Sequence, residues 1–139
     1  MTPDGLVIIP SSFDPRETAN RLAAEVAAHG MTVLARIDHA AAAAKAGMEL
    51  RPTEVLIFGN PKGGTPLMQK VQTIGIDLPL KALVWQDESA RTWLAYNDPE
   101  WLAKRHGADT GTGAVIAAMA AALRAVAKKA TTRDNGDAS

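Results

Sequence analysis

Glu54-Val-Leu-Ile-Phe-Gly-Asn-Pro-Lys-Gly-Gly-Thr-Pro-Leu-Met68 is the stretch from which the architecture can be read outward. Val55 to Phe58 is an unbroken apolar run and predicts a central strand. It passes into a glycine-rich turn, and Thr65-Pro66 then reads as the cap and first residue of a helix reaching about Ile74, with Gly75 as its stop. Such a turn aims backbone N–H groups and a helix N-terminus at one point, which suits an anion. Gly59-x-x-x-x-Gly64 has P-loop spacing, but Thr65-Pro66 stands where Lys-Ser/Thr should follow, and Lys62 lies inside the turn. Proline also lacks an N–H. Nucleotide hydrolysis is therefore not expected. Two readings remain open: an anionic group approaches the N–H groups of Gly63 and Gly64, or the glycines make a tight turn that Thr65 caps. In either case Gly64 is expected to need a positive φ.

Before this segment, Leu6 to Ile9 predicts a first strand. Asp14-Pro15-Arg16-Glu17 supplies an N-cap, a helix-starting proline and a capping acid, and Ala19, Leu22, Ala23 and Val26 fall on one helical face. Gly30 ends that helix. Met31, Val33, Ala35 and Ile37 alternate along a half-buried second strand, and Asp38 caps a short alanine helix to about Ala46. After the segment, Leu80 to Trp85 and Thr92 to Tyr96 predict two strands joined by a hairpin loop at Asp87–Arg91. Asp98-Pro99-Glu100 opens a short helix to His106, with Gly107 as its stop. A last helix from about Gly113 to Ala130 is apolar nearly all round as far as Arg124, so it needs cover from a sheet or a partner chain. The order βαβαβαββαα predicts an α+β fold: a single domain over residues 1–130 with a mixed, mostly antiparallel sheet and helices mainly on one face. Residues 131–139 read as a disordered polar tail.

The 139 residues are 47% hydrophobic and 22% charged, which suits one domain with a real core. Fifteen basic and fifteen acidic side chains cancel, so no global field draws nucleic acid or an anionic membrane. Without cysteine there is no disulfide, thiolate catalysis or Cys-based metal site. No N-terminal secretory pattern is visible, and the longest apolar run, Ala114 to Leu123, is too short for a membrane span. A cytoplasmic location is expected.

Asp38-His39, Gly59-Asn60-Pro61, Gly64-Thr65, Leu67-Met68, Gly75-Ile76-Asp77-Leu78-Pro79-Leu80-Lys81, Val84-Trp85, Tyr96-Asn97-Asp98-Pro99, Leu102 and Arg105-His106-Gly107 together resemble the DUF302 family of small domains of unknown function. The resemblance implies a compact α+β fold of the TT1751-like type, often dimeric. It brings no settled activity, since a fold does not carry one.

Three histidines are few for a metal site, and none is expected. His29 is explained by the dipole at a helix end. His39 and His106 sit at element junctions, where each is a capping or dipole residue or a weak catalytic candidate. Lys81 alternates with Leu83 and Trp85 on one strand face, opposite Leu80, Ala82 and Val84. It must snorkel or meet an acid or anion. Tyr96 ends a strand and offers packing or a ligand-orienting hydroxyl. Trp85, Trp93 and Trp101 read as core or interface anchors.

Three functions follow. The first is a domain binding a small anionic ligand in a cleft built from Asn60, Gly63, Gly64, Thr65, Lys81, Tyr96 and Arg105. The second is an enzyme with His39 or His106 as acid/base and Lys81 or Arg105 stabilising negative charge. The third is a homodimeric interaction module built on the last helix and the tryptophans. No cofactor, nucleic acid or membrane partner is expected, and a homodimer is.

Overall fold

The structure is a computed structural model and describes residues 2–133. The chain forms β1 (Leu6–Ser11), α1 (Pro15–Ala28), β2 (Thr32–Asp38), α2 (His39–Lys45), β3 (Thr53–Gly59), α3 (Pro61–Lys70), a 3₁₀ turn (Gln72–Ile76), β4 (Leu80–Gln86), β5 (Thr92–Asn97), α4 (Pro99–Arg105) and α5 (Gly113–Thr131). The α+β class is as expected. The sheet runs β1-β5-β4-β3-β2, and each of its pairings is antiparallel, with no parallel pair. Of the expected tail, Thr131 closes α5, and residues 134–139 lie outside the described residues.

The local signals act as their chemistry dictates. Asp14 accepts from the Glu17 N–H at 2.8 Å and Pro15 occupies the first helical turn of α1. Asp38 and Asp98 cap α2 and α4 in the same way. Gly30, at φ +76°, takes the left-handed conformation that releases the chain into β2. The hairpin between β4 and β5 is held by Asp87, whose carboxylate accepts from the Ser89 and Arg91 N–H groups at 2.9 Å and from Trp93 Nε1 at 2.8 Å.

α1 and α5 lie side by side across one face of the sheet. Ala19, Leu22 and Val26 of α1 and Leu123, Val126, Ala127 and Ala130 of α5 meet Leu56, Phe58, Leu80, Ala82, Val84, Leu94 and Tyr96 from the strands. The residues that α5 leaves exposed include Ala114, Ala117, Ala118 and Ala121, which are small. Its large apolar residues, such as Ile116 and Leu123, are covered within the chain. Of the two kinds of cover expected for α5, the sheet and α1 supply it over Leu123, Val126, Ala127 and Ala130.

The edges of the sheet are both interrupted. Pro10 in β1 offers no N–H, and β2 slips register between Val33 and Ala35, a β-bulge that leaves Leu34 59% exposed.

α3 departs from the sequence expectation. It begins at Pro61 rather than Pro66, because Asn60 is the cap: its Oδ1 accepts the Lys62 N–H at 3.0 Å. Asn60-Pro61 thus does what Asp14-Pro15 and Asp98-Pro99 do elsewhere, and Pro66 lies within the helix. Gly63 and Gly64 are helical residues, and neither has a positive φ. The glycine-rich turn is in fact a helical first turn.

Candidate functional site

Where β3 ends and α3 begins, the chain walls a cavity of about 790 Å³. Gly59 to Thr65 and Met68 form one side, the segment Leu78-Pro79-Leu80 another, Met31, Thr32 and Leu34 at the start of β2 a third, and Ala114, Val115, Ala118, Met119 and Ala122 of α5 the fourth. Small residues on two helices create the space. A methyl group added at Gly63 would touch Met119 at 3.7 Å, and one at Gly64 would touch Leu78 at 3.5 Å. Those are ordinary contacts. Gly63→Ala and Gly64→Ala should therefore each stabilise the domain by about 0.5–1 kcal/mol, since helical glycine is entropically unfavourable. Urea denaturation of each variant checks this, and a loss of stability would show that the glycines relieve an unseen constraint.

The polar content of the cavity is low. The helix start holds no free N–H to cradle an anion: Pro61 has none, Lys62 N–H bonds the Asn60 side chain, and the Gly63 and Gly64 N–H groups bond the Asn60 carbonyl at 2.9 and 3.2 Å. What remains for an anion is Lys62, which is exposed at the mouth and makes no ion pair among the described residues.

Of the residues expected to share a cleft, Asn60, Gly63, Gly64 and Thr65 line this cavity, and Lys81, Tyr96 and Arg105 do not. Alternation along β4 places Ala82 in the core, so Lys81 projects from the opposite face of the sheet, away from α1 and α5. Trp93 pairs with Trp85 on that same outer face, whereas Tyr96 pairs with Ala82 and points inward. Burial raises the Tyr96 hydroxyl above the usual phenol value, with Arg124 opposing and Asp98 adding to the shift. A raised folded value favours the protonated form, so this contribution is present below about pH 10 and lost as pH climbs through the folded value. Denaturation midpoints between pH 8 and 11.5 should fall more steeply for the parent than for Tyr96→Phe. Equal slopes would show that the hydroxyl is not perturbed.

Arg105 and His106 belong to a second cluster. Arg105 Nη1 donates to both Asp77 oxygens at 3.0 and 2.8 Å, and His106 Nε2 lies 2.6 Å from Asp77 Oδ2. The other ring nitrogen of His106 meets Thr73 Oγ1 at 3.0 Å. Asp77 and Thr73 were not singled out from sequence, because residues 29 and 33 positions from His106 are joined only by the fold. The cluster ties the 3₁₀ turn to the end of α4, and both imidazole nitrogens are occupied. His39 is the exposed first residue of α2 and belongs neither to the cavity lining nor to this cluster.

The apolar wall was also missed from sequence. Met31, Met68 and Met119 come from three separate elements, and Leu34 is left in the opening by the β2 bulge. Methionine suits an adaptable apolar surface, and that was the available signal.

The profile of a family described as domain of unknown function DUF302 matches residues 7–126. A protein named fluoride-specific ion channel FluC 1, from Brucella suis biovar 1 (strain 1330), is 48% identical over 126 residues, covering 91% of this chain and 50% of its own length. Fluoride-specific ion channel FluC 2 from Brucella melitensis biotype 1 (strain ATCC 23456 / CCUG 17765 / NCTC 10094 / 16M) is likewise 48% identical over 126 residues, covering 91% of this chain and 47% of its own. The chain thus spans about half the length of the curated relatives it matches. Among solved structures, an uncharacterised conserved DUF302 protein from Bacillus stearothermophilus is similar with a TM-score of 0.81 at 20% identity, over 92% of this chain and 99% of that one. At that identity the likeness concerns the fold alone. Among the described residues, no helix is long and apolar enough to cross a membrane.

Proposed function

The chain belongs to the DUF302 family, and from that premise, which supplies a fold and no activity, we propose that it binds a small amphipathic molecule beside Asn60–Thr65. The observation that carries this reading is the cavity of about 790 Å³, apolar in its walls and with an uncommitted cation, Lys62, at its mouth. Cavities of roughly 300–1,000 Å³ with few polar groups are the usual form of small-molecule sites. The ligand that fits has an apolar body and one anionic group, such as a medium-chain carboxylate or an aryl sulfonate. The body lies among Met31, Leu78, Val115 and Met119, and the anion meets Lys62 at the water's edge. A small, strongly hydrated anion is a poor occupant, because the interior offers no free donors to replace its water.

The enzyme alternative is less favoured at this cavity, because neither His39 nor His106 is among the residues that line it. We place the domain in the cytoplasm. Relatives of nearly twice its length are named fluoride-specific ion channels, and a ligand-binding module within a longer protein is compatible with that.

Titration calorimetry with decanoate, decanol and anilinonaphthalene sulfonate tests the proposal. Decanoate should bind several-fold more tightly than decanol, and Lys62→Met should erase that difference while leaving decanol binding intact. Failure of all three probes to bind below about 1 mM would end the ligand-binding reading.

A further inference from the structure

The chain between β3 and β4 leaves the sheet and returns to it at one point. It departs after Phe58 and rejoins at Leu80, and these two residues are paired neighbours in the sheet. A Cβ added at Gly59 would lie 3.4 Å from Pro79 Cβ, so the two ends of the segment touch. Between them run α3 and the 3₁₀ turn, and the segment supplies one long wall of the cavity, from Asn60 to Thr65 together with Met68, Leu78 and Pro79. Its apolar hold on the rest of the domain is Leu67 and Ile74 against Ala103, Ala108 and Ile116. Its polar hold is a single cluster. Among the described residues, every side-chain hydrogen bond from residues 60–78 to the rest of the chain ends on Arg105 or His106.

We infer, on the premise that this cavity is the ligand site, that Asp77 and His106 are positioning residues that set its width and so decide which ligand shapes it accepts. Neither touches the cavity, but two routes lead to it. Leu78 follows Asp77 directly and lines the cavity. Met68, also in the lining, leans on the turn, where its Sδ lies 3.2 Å from the place a Cβ of Gly75 would take. Any movement of the turn therefore carries both side chains with it.

The cluster is built to hold that position. The His106 and Asp77 side chains are 9% and 13% exposed, so little water competes for their bonds. A carboxylate only accepts, so His106 Nε2 carries a proton toward Asp77, and the Thr73 hydroxyl can donate to Nδ1. Arg105 adds its two bonds to the same carboxylate. Released from α4, the segment can swing about its paired ends at Gly59 and Pro79. Across the cavity, Ala114 and Ala118 of α5 offer no large side chain to arrest α3. A looser cluster therefore means a wider cavity.

Decanoate and anilinonaphthalene sulfonate gauge the width, because each carries one anionic group for Lys62 while a linear chain needs less room than fused rings. In titration calorimetry, Asp77→Ala and His106→Ala should each shift the ratio of the two affinities toward anilinonaphthalene sulfonate by at least about fivefold. His106→Gln, whose amide can still donate to Asp77, should keep the parent ratio. Amide hydrogen exchange should quicken in α3 and stay unchanged in α1. Should Asp77→Ala fail to fold, Arg105→Met, at an exposed position, removes two of the bonds and should move the ratio in the same direction. An equal loss of both affinities would make the cluster a structural tie only and overturns the inference, as does unchanged exchange in α3. An unchanged ratio overturns it too, while leaving the cavity as the ligand site. Failure of both probes to bind the parent chain overturns the ligand site itself, and the inference with it.

Discussion

Phe58→Ala is expected to destabilise the domain by about 3–5 kcal/mol, the usual range for removing a buried aromatic ring from a core. Phe58 has no exposed surface and stands on β3 beneath α1 and α5, in the same cluster as Leu22, Val26 and Leu123. The neighbours are held by a sheet on one side and two packed helices on the other, so little collapse into the space can occur. Against a total stability of roughly 5–15 kcal/mol, this is a large fraction. The melting temperature should fall by roughly 10–20 °C for a domain of this size. Calorimetry of parent and variant decides it. A shift of only a degree or two would mean that the helices do not pack on the sheet as described.

Ala118→Phe is expected to act on binding instead of stability. Ala118 is exposed on α5 and lines the cavity, so the added ring projects into space that a ligand would fill. Stability should change by no more than about 0.5 kcal/mol, as at most surface positions. Affinity for decanoate should fall at least about tenfold, a loss of roughly 1.4 kcal/mol or more. Undiminished binding of decanoate to Ala118→Phe would place the ligand elsewhere on the molecule. Because the variant keeps its fold, the two readouts separate cleanly.

The fold was legible where one residue's chemistry dominates its neighbourhood. Asp14-Pro15, Asp38 and Asp98-Pro99 start helices where the sequence predicts, because capping and a fixed proline φ act within a single turn. Asn60-Pro61 carries the same signal but was overshadowed by Thr65-Pro66, which looks as good locally and loses once the Asn60 side chain reaches the Lys62 N–H. The site was half legible for a different reason. Asn60, Gly63, Gly64 and Thr65 are contiguous and were found together, whereas Met31, Leu78 and Met119 reach the cavity from distant elements. Lys81 shows the limit of face assignment. Period-two alternation separated it correctly from Leu80 and Ala82, yet which face α1 and α5 would cover is decided by tertiary packing.

The interrupted strand edges constrain how the protein can polymerise. An uninterrupted outer strand would template another chain along its hydrogen-bonding groups, and repetition of that step builds fibres without limit. Pro10 at one edge and the Val33/Ala35 bulge at the other remove regular templates from both ends of the sheet. Growth of the sheet in its own plane is therefore blocked, and concentrated solutions should resist amyloid nucleation even after long incubation.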